Sequence, residues 1–317
     1  MPELDLSAPF YVAGHRGMVG SAVWRLLEAS GFTNLHGRSS AQLDLRDRKA
    51  TFAYVAEIRP RYCVLAAARV GGIMANATHP VEFLSDNLLI QVNVMDAARA
   101  VGVERLLFLG SSCIYPRDAP QPIKEEYLLT GPLEPTNDAY AIAKIAGIHQ
   151  VQAVRREDGL SWVSAMPTNL YGPGDNYDVH TAHVLAALVR RFVEAANGST
   201  PLVTLWGTGT PLREFMHVDD LARAVMMMLE LYDEPMPVNV GSGEEVSIQD
   251  LAEMLREITG FGGEICWDRS FPDGAARKRL DTTRLSALGF TPAITLETGL
   301  RQACMDYRGQ TDTSITV

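Results

Sequence analysis

Tyr140 and Lys144 are separated by three residues, a spacing that puts both side chains on one face of a helix, one turn apart. There an ammonium can help a phenol give up a proton. A free tyrosine has a pKa of about 10, so it handles protons poorly near neutrality unless a fixed positive charge lowers the cost of its phenolate. Lys144 is placed to supply that charge. Upstream, the apolar run Arg105 to Gly110 delivers Ser111, Ser112 and Cys113. If the chain stays extended there, Ser111 and Cys113 point to the same side, because strand side chains alternate, and both can face one substrate. Alone, a cysteine is more often a small buried hydrophobe, and a Tyr and Lys at helical spacing often only cover a surface.

These residues need a scaffold, and the chain supplies one in regular alternation. PFYVAGHRGMVGSAVWRLLEASG reads as an apolar strand, a turn through Gly14, Gly17 and Gly20, and an amphipathic helix ending near Gly31. Glycine lets the backbone approach a pyrophosphate closely, and the helix N-terminus offers free N–H groups and a positive dipole end. The next strand, Thr33 to Gly37, ends at Arg38, where a guanidinium suits a ribose 2′-phosphate and so favours NADP; Arg16 is a second contact. Asp44 and Leu45 stand where adenine could be flanked, though an Asp there is as well suited to capping a helix. A strand from Arg61 to Ala67, a long helix from Pro80 to Ala100 and the strand Arg105 to Gly110 predict an α/β doubly wound parallel sheet of the Rossmann type. Val70-Gly71-Gly72-Ile73 follows the third strand, at the carboxyl edge where ligands bind in such folds.

The helix carrying Tyr140 and Lys144 spans Thr136 to Arg156, and the strand Trp162 to Met166 follows. The turn-rich PTNLYGPGDNY then marks a boundary. Residues 1–172, with 215–242 returning to them, form the cofactor domain in this reading; 173–214 and 243–317 form a smaller C-terminal α/β substrate domain. Tyr177 to Asn197 reads as helical, with His183 near its start. A step of seven residues brings Arg190 almost beneath His183, whereas Arg191 lies further round. Arg213 falls in a loop before a helix capped by Asp219 or Asp220, and Met226, Met227 and Met228 read as core. PVNVGSG reads as a returning strand and Ser247 starts a helix; beyond it come short elements on no sheet rhythm.

The 317 residues carry a net charge of -10 and are 47% hydrophobic, which suffices for a sizeable core and argues against broad nucleic-acid binding. Phosphate must be held locally, and Arg190-Arg191 and Arg277-Lys278-Arg279 are the clusters that could do so. The N-terminal stretch has no secretory pattern and no apolar run is long enough for a bilayer, so the expectation is a cytoplasmic protein without membrane contact. Four separated cysteines, with no CxxC pair, fit neither a disulfide framework nor a zinc site, and no metal is expected.

Taken together, GHRGMVGSA, AAARVGGI, LFLGSSCIYP, LEPTNDAYAIAKIAGI, MPTNLYGP, WGTGTPLREFMHVDD and PDGAARK occur in order and resemble the extended short-chain dehydrogenase/reductases, more narrowly the GDP-L-fucose synthase family. The likeness runs from about Val12 to about Tyr307. It implies an NADPH-dependent epimerase-reductase acting on a GDP-linked 4-keto-6-deoxy sugar. It assigns Ser111, Tyr140 and Lys144 to reduction, and Cys113 and His183 to epimerisation as base and acid. It also implies cofactor contacts at Gly14, Arg16, Gly17, Met18, Val19 and Gly20, with Arg38, Asp44 and Leu45 around the adenosine. Ala66, Ala67 and Ala68 then border the cofactor after the third strand, and Pro167, Asn169 and Leu170, with Lys144 and His183, the nicotinamide end. Val70, Ser112, Asn169, Arg191, Trp206, Arg213 and Lys278 are the implied substrate contacts, so that here the resemblance chooses Arg191 where helical spacing prefers Arg190.

This chain departs from the family pattern at Ala182, where a serine is usual, at Ala275-Ala276 before Arg277, and in offering His180 as a rival histidine. It has one arginine after the second strand where some members have two. Two other readings keep the fold: a related GDP-keto-sugar enzyme such as a colitose synthase or a reductase without epimerisation, and a non-catalytic nucleotide sensor. Ser111, Tyr140 and Lys144 argue against the sensor, and Cys113 with His183 favours an enzyme that inverts stereocentres. The two long helices resemble those that pair into a four-helix interface, which implies a homodimer.

Overall fold

The computed structural model of the protein describes residues 4–179, 181–198, 200–271 and 273–314. The chain runs through β1 (Phe10–Ala13), α1 (Met18–Ala29), β2 (Leu35–His36), α2 (Arg48–Ile58), β3 (Tyr62–Leu65), α3 (Ile73–Thr78), α4 (Pro80–Val101), β4 (Arg105–Leu109), α5 (Asp138–Asp158), β5 (Ser161–Pro167) and β6 (Asn169–Tyr171). It continues with α6 (Val184–Asn197), β7 (Leu202–Trp206), β8 (Leu212–Arg213), β9 (Phe215–His217), α7 (Val218–Leu231) and β10 (Val238–Val240). β11 (Val246–Ser247), α8 (Ile248–Thr259), β12 (Glu264–Asp268), β13 (Arg277–Lys278), α9 (Thr283–Ala287) and α10 (Leu296–Ser314) complete it.

Six strands form one parallel sheet in the order β10-β5-β4-β3-β1-β2. β1 and β3 are buried throughout, as is β4 beyond Arg105, because helices cover both faces. One apolar cluster joins α1 and α7 to the sheet through Val23, Leu27, Leu221 and Val225, and a second joins α2, α4 and α5 through Val55, Met95, Ile148 and Trp162. The order in which strands are added reverses between β1 and β3, which places a ligand crevice at their carboxyl ends.

Local chemistry sets the ends of the two long helices. α4 starts with a proline in its first turn and α5 with Asp138 after Pro135, and both stop at glycines in the left-handed region, Gly102 and Gly159. Gly147 lets α5 approach the sheet, since a Cβ there would lie 2.4 Å from the Phe108 ring. A third cluster, built from α6, α8 and α10 around Phe192, Leu251 and Leu300, packs beside the main sheet. No helix of the described residues is long and apolar enough to cross a membrane.

The structure differs from the sequence reading at several points. Ser112–Ile114 is a 3-10 turn rather than extended chain, with Ser111 as its cap. α6 begins only at Val184, with His183 at its N-cap; Pro173 and the turn at Asp178 keep residues 173–179 irregular. Arg213 lies on a strand, not in a loop. The cap of α7 is His217, whose ring accepts the Asp219 N–H at 3.2 Å, because buried Asp220 is already engaged by the Ala293 and Ile294 N–H groups and Arg223. The C-terminal part has a sheet rhythm after all: β11-β8-β13 form one small sheet, and β12 pairs in parallel with β7. Short strands of two residues leave too little pattern for periodicity to reveal.

Candidate active site

The glycine turn is built for close approach. Gly14 has φ +88°, and a Cβ there would meet the Ala67 backbone nitrogen at 2.7 Å; a Cβ on Gly20 would meet the Gly14 carbonyl oxygen at 2.0 Å. Only glycine fits either position. α1 starts at Gly17 with no side-chain cap, so the first N–H groups, at Met18 and Val19, stay available to a phosphate. Ala66 is tied to β1 through its N–H to the Ala13 carbonyl at 3.0 Å, which sets Ala66, Ala67 and Ala68 beside that turn. These features fit the pyrophosphate of a dinucleotide.

At the far end of the crevice Arg16 and Arg38 are both exposed, and both lie close enough to His15 to depress its pKa, after the larger effect of its burial. Arg38 lies over the Tyr54 ring, 5.1 Å from its centroid. Among the described residues neither arginine has a carboxylate partner. His15, packed on Trp24 with its Nδ1 unpartnered, was missed from sequence although it sits inside the glycine turn. Asp44 is instead bound to Arg46, and the Leu45 carbonyl accepts from Asn93 at 2.9 Å.

Beyond β4 the reactive groups converge. Ser111 Oγ lies 3.1 Å from Cys113 Sγ and accepts the Cys113 N–H at 3.3 Å, so the tight turn keeps together the pair that an extended chain would also have paired. The Tyr140 phenol lies close enough to Ser111 for that hydroxyl to act on its pKa. Burial pushes that phenol's pKa far up, Cys113 adds to the rise, and Ser111 opposes it. Lys144 is 3% exposed; its Nζ donates to the Leu109 carbonyl at 2.8 Å, lies 5.8 Å from the Tyr140 ring centre, and has its pKa lowered by burial to about 8. Ser112 is buried.

The other wall comes from further along the chain. Gly72 donates its N–H to the Thr181 carbonyl at 3.1 Å, so the open loop at Val70 lies against the residues leading to His183. Phe83 touches that loop at Gly71 and meets the Tyr140 ring edge-on at 6.3 Å. His183 retains solvent access, yet the surrounding protein lowers its pKa through desolvation, the signature of a group in a cleft. His180 lies outside the described residues. Lys278 is similarly hemmed in; desolvation lowers its pKa first, with Cys113 opposing and Arg213 reinforcing the change. Pro167 ends β5, Asn169 Nδ2 donates to the Glu214 carbonyl at 2.9 Å, and Leu170 packs against the core of the cofactor side.

Arg190 and Arg191 separate clearly. Arg190 is buried and donates to the Tyr177 carbonyl at 2.9 Å, whereas Arg191 reaches the Thr204 carbonyl at 3.0 Å and sits 5.9 Å from the Trp206 ring centre. Helical spacing therefore preferred a structural arginine. Trp206 is 55% exposed and stacks on Phe271, with centroids 4.3 Å apart and planes 10° from parallel. Phe271 carries no local sequence signal, because only the fold brings its loop to β7. Arg213 donates to the Ala275 carbonyl at 2.6 Å, completing a cationic and aromatic rim.

The profile of the NAD dependent epimerase/dehydratase family matches residues 10–241. The chain is 54% identical to a probable GDP-L-fucose synthase 1 from Oryza sativa subsp. japonica, over 93% of this chain and 90% of that one. It is 48% identical to the GDP-L-fucose synthase of Escherichia coli K12, covering 92% and 93% respectively. A GDP-L-fucose synthetase structure from Naegleria fowleri, bound to NADP, superposes with a TM-score of 0.90 at 28% identity, covering 98% of this chain and 96% of that one.

If the Lys144 charge supports proton transfer at Tyr140, the alkaline limb of kcat/KM for ketone reduction falls as pH rises through about 8, where the ammonium deprotonates. Lys144→Arg should move that limb upward, and Lys144→Met should lower the rate about a hundred- to ten-thousandfold. Steady-state rates between pH 6 and 10, on the order of one-unit steps, read both effects.

Proposed function

The chain belongs to the NAD dependent epimerase/dehydratase family and, within it, to the GDP-L-fucose synthases, and from this we infer that it converts GDP-4-keto-6-deoxy-D-mannose to GDP-L-fucose. The reaction inverts carbons 3 and 5 and then reduces the carbon 4 ketone. The observation that carries this reading is the Ser111 hydroxyl, which lies 3.1 Å from the Cys113 thiol and close enough to the Tyr140 phenol to lower its pKa. One carbonyl held there meets both a reducing proton donor and a base.

A ketone at carbon 4 acidifies the hydrogens on carbons 3 and 5, because the electrons left by proton removal spread into an enolate. Ser111 and Tyr140 hold the enolate oxygen. Cys113 takes the proton from one face and His183 returns one to the other. Desolvation holds His183 towards its neutral form in the free enzyme; a diphosphate and an enolate brought into the cleft favour the imidazolium, which is the competent acid. The nicotinamide, when bound, supplies hydride to carbon 4. Tyr140 then gives its proton to the oxygen, and Lys144, held on the Leu109 carbonyl, lowers the cost of the phenolate.

The cofactor is NADPH in this reading, since Arg16 and Arg38 present unpaired charge where a 2′-phosphate would lie. Gly14, Gly17 and Gly20 take the pyrophosphate, and Arg191, Trp206, Arg213 and Lys278 take the GDP. The cofactor belongs to residues 1–172 and 215–242, the sugar to 173–214 and 243–317. Val81 and Leu89 on α4 and Ile142 on α5 are exposed, and a homodimer would cover them. Conversion of other GDP-4-keto sugars without inversion is less well supported, because it would leave Cys113 and His183 without work.

Cys113→Ser should still oxidise NADPH with a 4-keto sugar but lose inversion by about a hundredfold or more, seen as product of unchanged configuration at carbons 3 and 5 by NMR. Arg38→Ala should weaken NADPH about ten- to a hundredfold, the size of a lost charge-assisted hydrogen bond, and leave NADH unchanged by fluorescence titration. Light scattering at micromolar concentration should give twice the chain mass; a monomer would sink the dimer.

A further inference from the structure

Glu214 lies between Arg213 and β9, and its side chain is completely buried. Among the described residues no cation forms an ion pair with it. Its carboxylate instead accepts two backbone N–H groups from separate segments: Oε1 from Gly243 at 2.7 Å and Oε2 from Leu280 at 3.0 Å. The contact with the chain is direct, since a Cβ on Gly241 would lie 2.2 Å from Oε1. The Glu214 carbonyl accepts in turn from Thr168 Oγ1 at 3.2 Å and Asn169 Nδ2 at 2.9 Å.

This arrangement sits directly behind two cations. β13 runs parallel to β8 with Lys278 paired to Arg213, so two positive side chains stand side by side on a ladder of two residues per strand. So short a ladder cannot fix its own register, and the two charges repel: Arg213 is among the causes that lower the pKa of Lys278. Beyond that ladder the Arg279 backbone is held by Gln121 and Ile123, and Glu214, one residue past Arg213, ties Leu280, two past Lys278, directly to the β8 side. Burial raises the Glu214 pKa, and the two backbone bonds oppose that rise, as expected if they hold it as a carboxylate.

We infer that Glu214 is a positioning residue for the GDP-sugar: it clamps the Leu280 and Gly243 backbones so that Lys278 is registered beside Arg213, facing the diphosphate. This rests on the assignment of Arg213 and Lys278 to GDP. Glutamine at 214 keeps the shape but turns one acceptor into a donor, which then meets a backbone N–H head on. The register of Lys278 loosens, while the glycine turn, far along the sheet, is untouched.

The test is GDP affinity by calorimetry beside NADPH affinity by fluorescence, in wild type, Glu214→Gln, Arg213→Ala and the double variant. The expected result is GDP binding about tenfold weaker in Glu214→Gln, as for a buried donor left unpaired, with KM for the GDP-sugar raised, kcat near native and NADPH affinity unchanged. On the Arg213→Ala background the same change should cost little more, because both act on one site. If Glu214→Gln folds poorly, Glu214→Asp, which keeps both acceptor oxygens on a shorter stem, should show a smaller loss in the same direction. Unchanged GDP affinity, or parallel losses for GDP and NADPH with full additivity, overturns the clamp and leaves Glu214 structural. Failure of the wild-type protein to bind GDP overturns the substrate assignment instead.

Discussion

A buried ammonium on a strand-end carbonyl is the contact on which the rest of this structure turns. Lys144 is taken out of water at a cost, which the Leu109 oxygen and the Phe108 and Tyr140 rings beside its ammonium offset. Its location therefore requires a helix that presses close to β4, which Gly147 permits, and a strand whose carboxyl end opens into a crevice. The same strand end gives rise to the Ser111 turn. Phenol, hydroxyl, thiol and ammonium are thus fixed by one helix–strand contact rather than by flexible loops.

The second half of the cleft obeys a different logic. Its cations, Arg191, Arg213 and Lys278, have few carboxylates near them, and the protein around them disfavours their charge. Such a rim suits a diphosphate, and in the proposed function binding substrate would relieve the free protein of repulsion. The proposed substrate would also bring charge beside His183, whose surroundings otherwise favour its neutral form. In that reading, binding and acid chemistry are coupled through the shared electrostatic environment.

Much of this was legible in the sequence, for identifiable reasons. Long strands buried on both faces and helices ended by glycine leave strong periodic signals, so the parallel sheet and the Tyr140–Lys144 helix could be read directly. The turn at Ser111 could not, because a single turn of 3-10 helix has no periodicity. Nor could the separation of Arg190 from Arg191, because spacing from His183 does not tell which guanidinium turns to the Tyr177 carbonyl and which to that of Thr204. Phe271 against Trp206 and Glu214 behind Arg213 are contacts between distant segments, visible only once the chain has folded.

The central claim is that one carbonyl-holding cleft loosens two neighbouring C–H bonds before reduction. The most direct measurement is a complete turnover of GDP-4-keto-6-deoxy-D-mannose with NADPH in deuterated water, followed by NMR of the sugar. The account predicts deuterium at carbons 3 and 5, both inverted, and none at carbon 4. Product that is reduced at carbon 4 but carries no carbon-bound deuterium would contradict it.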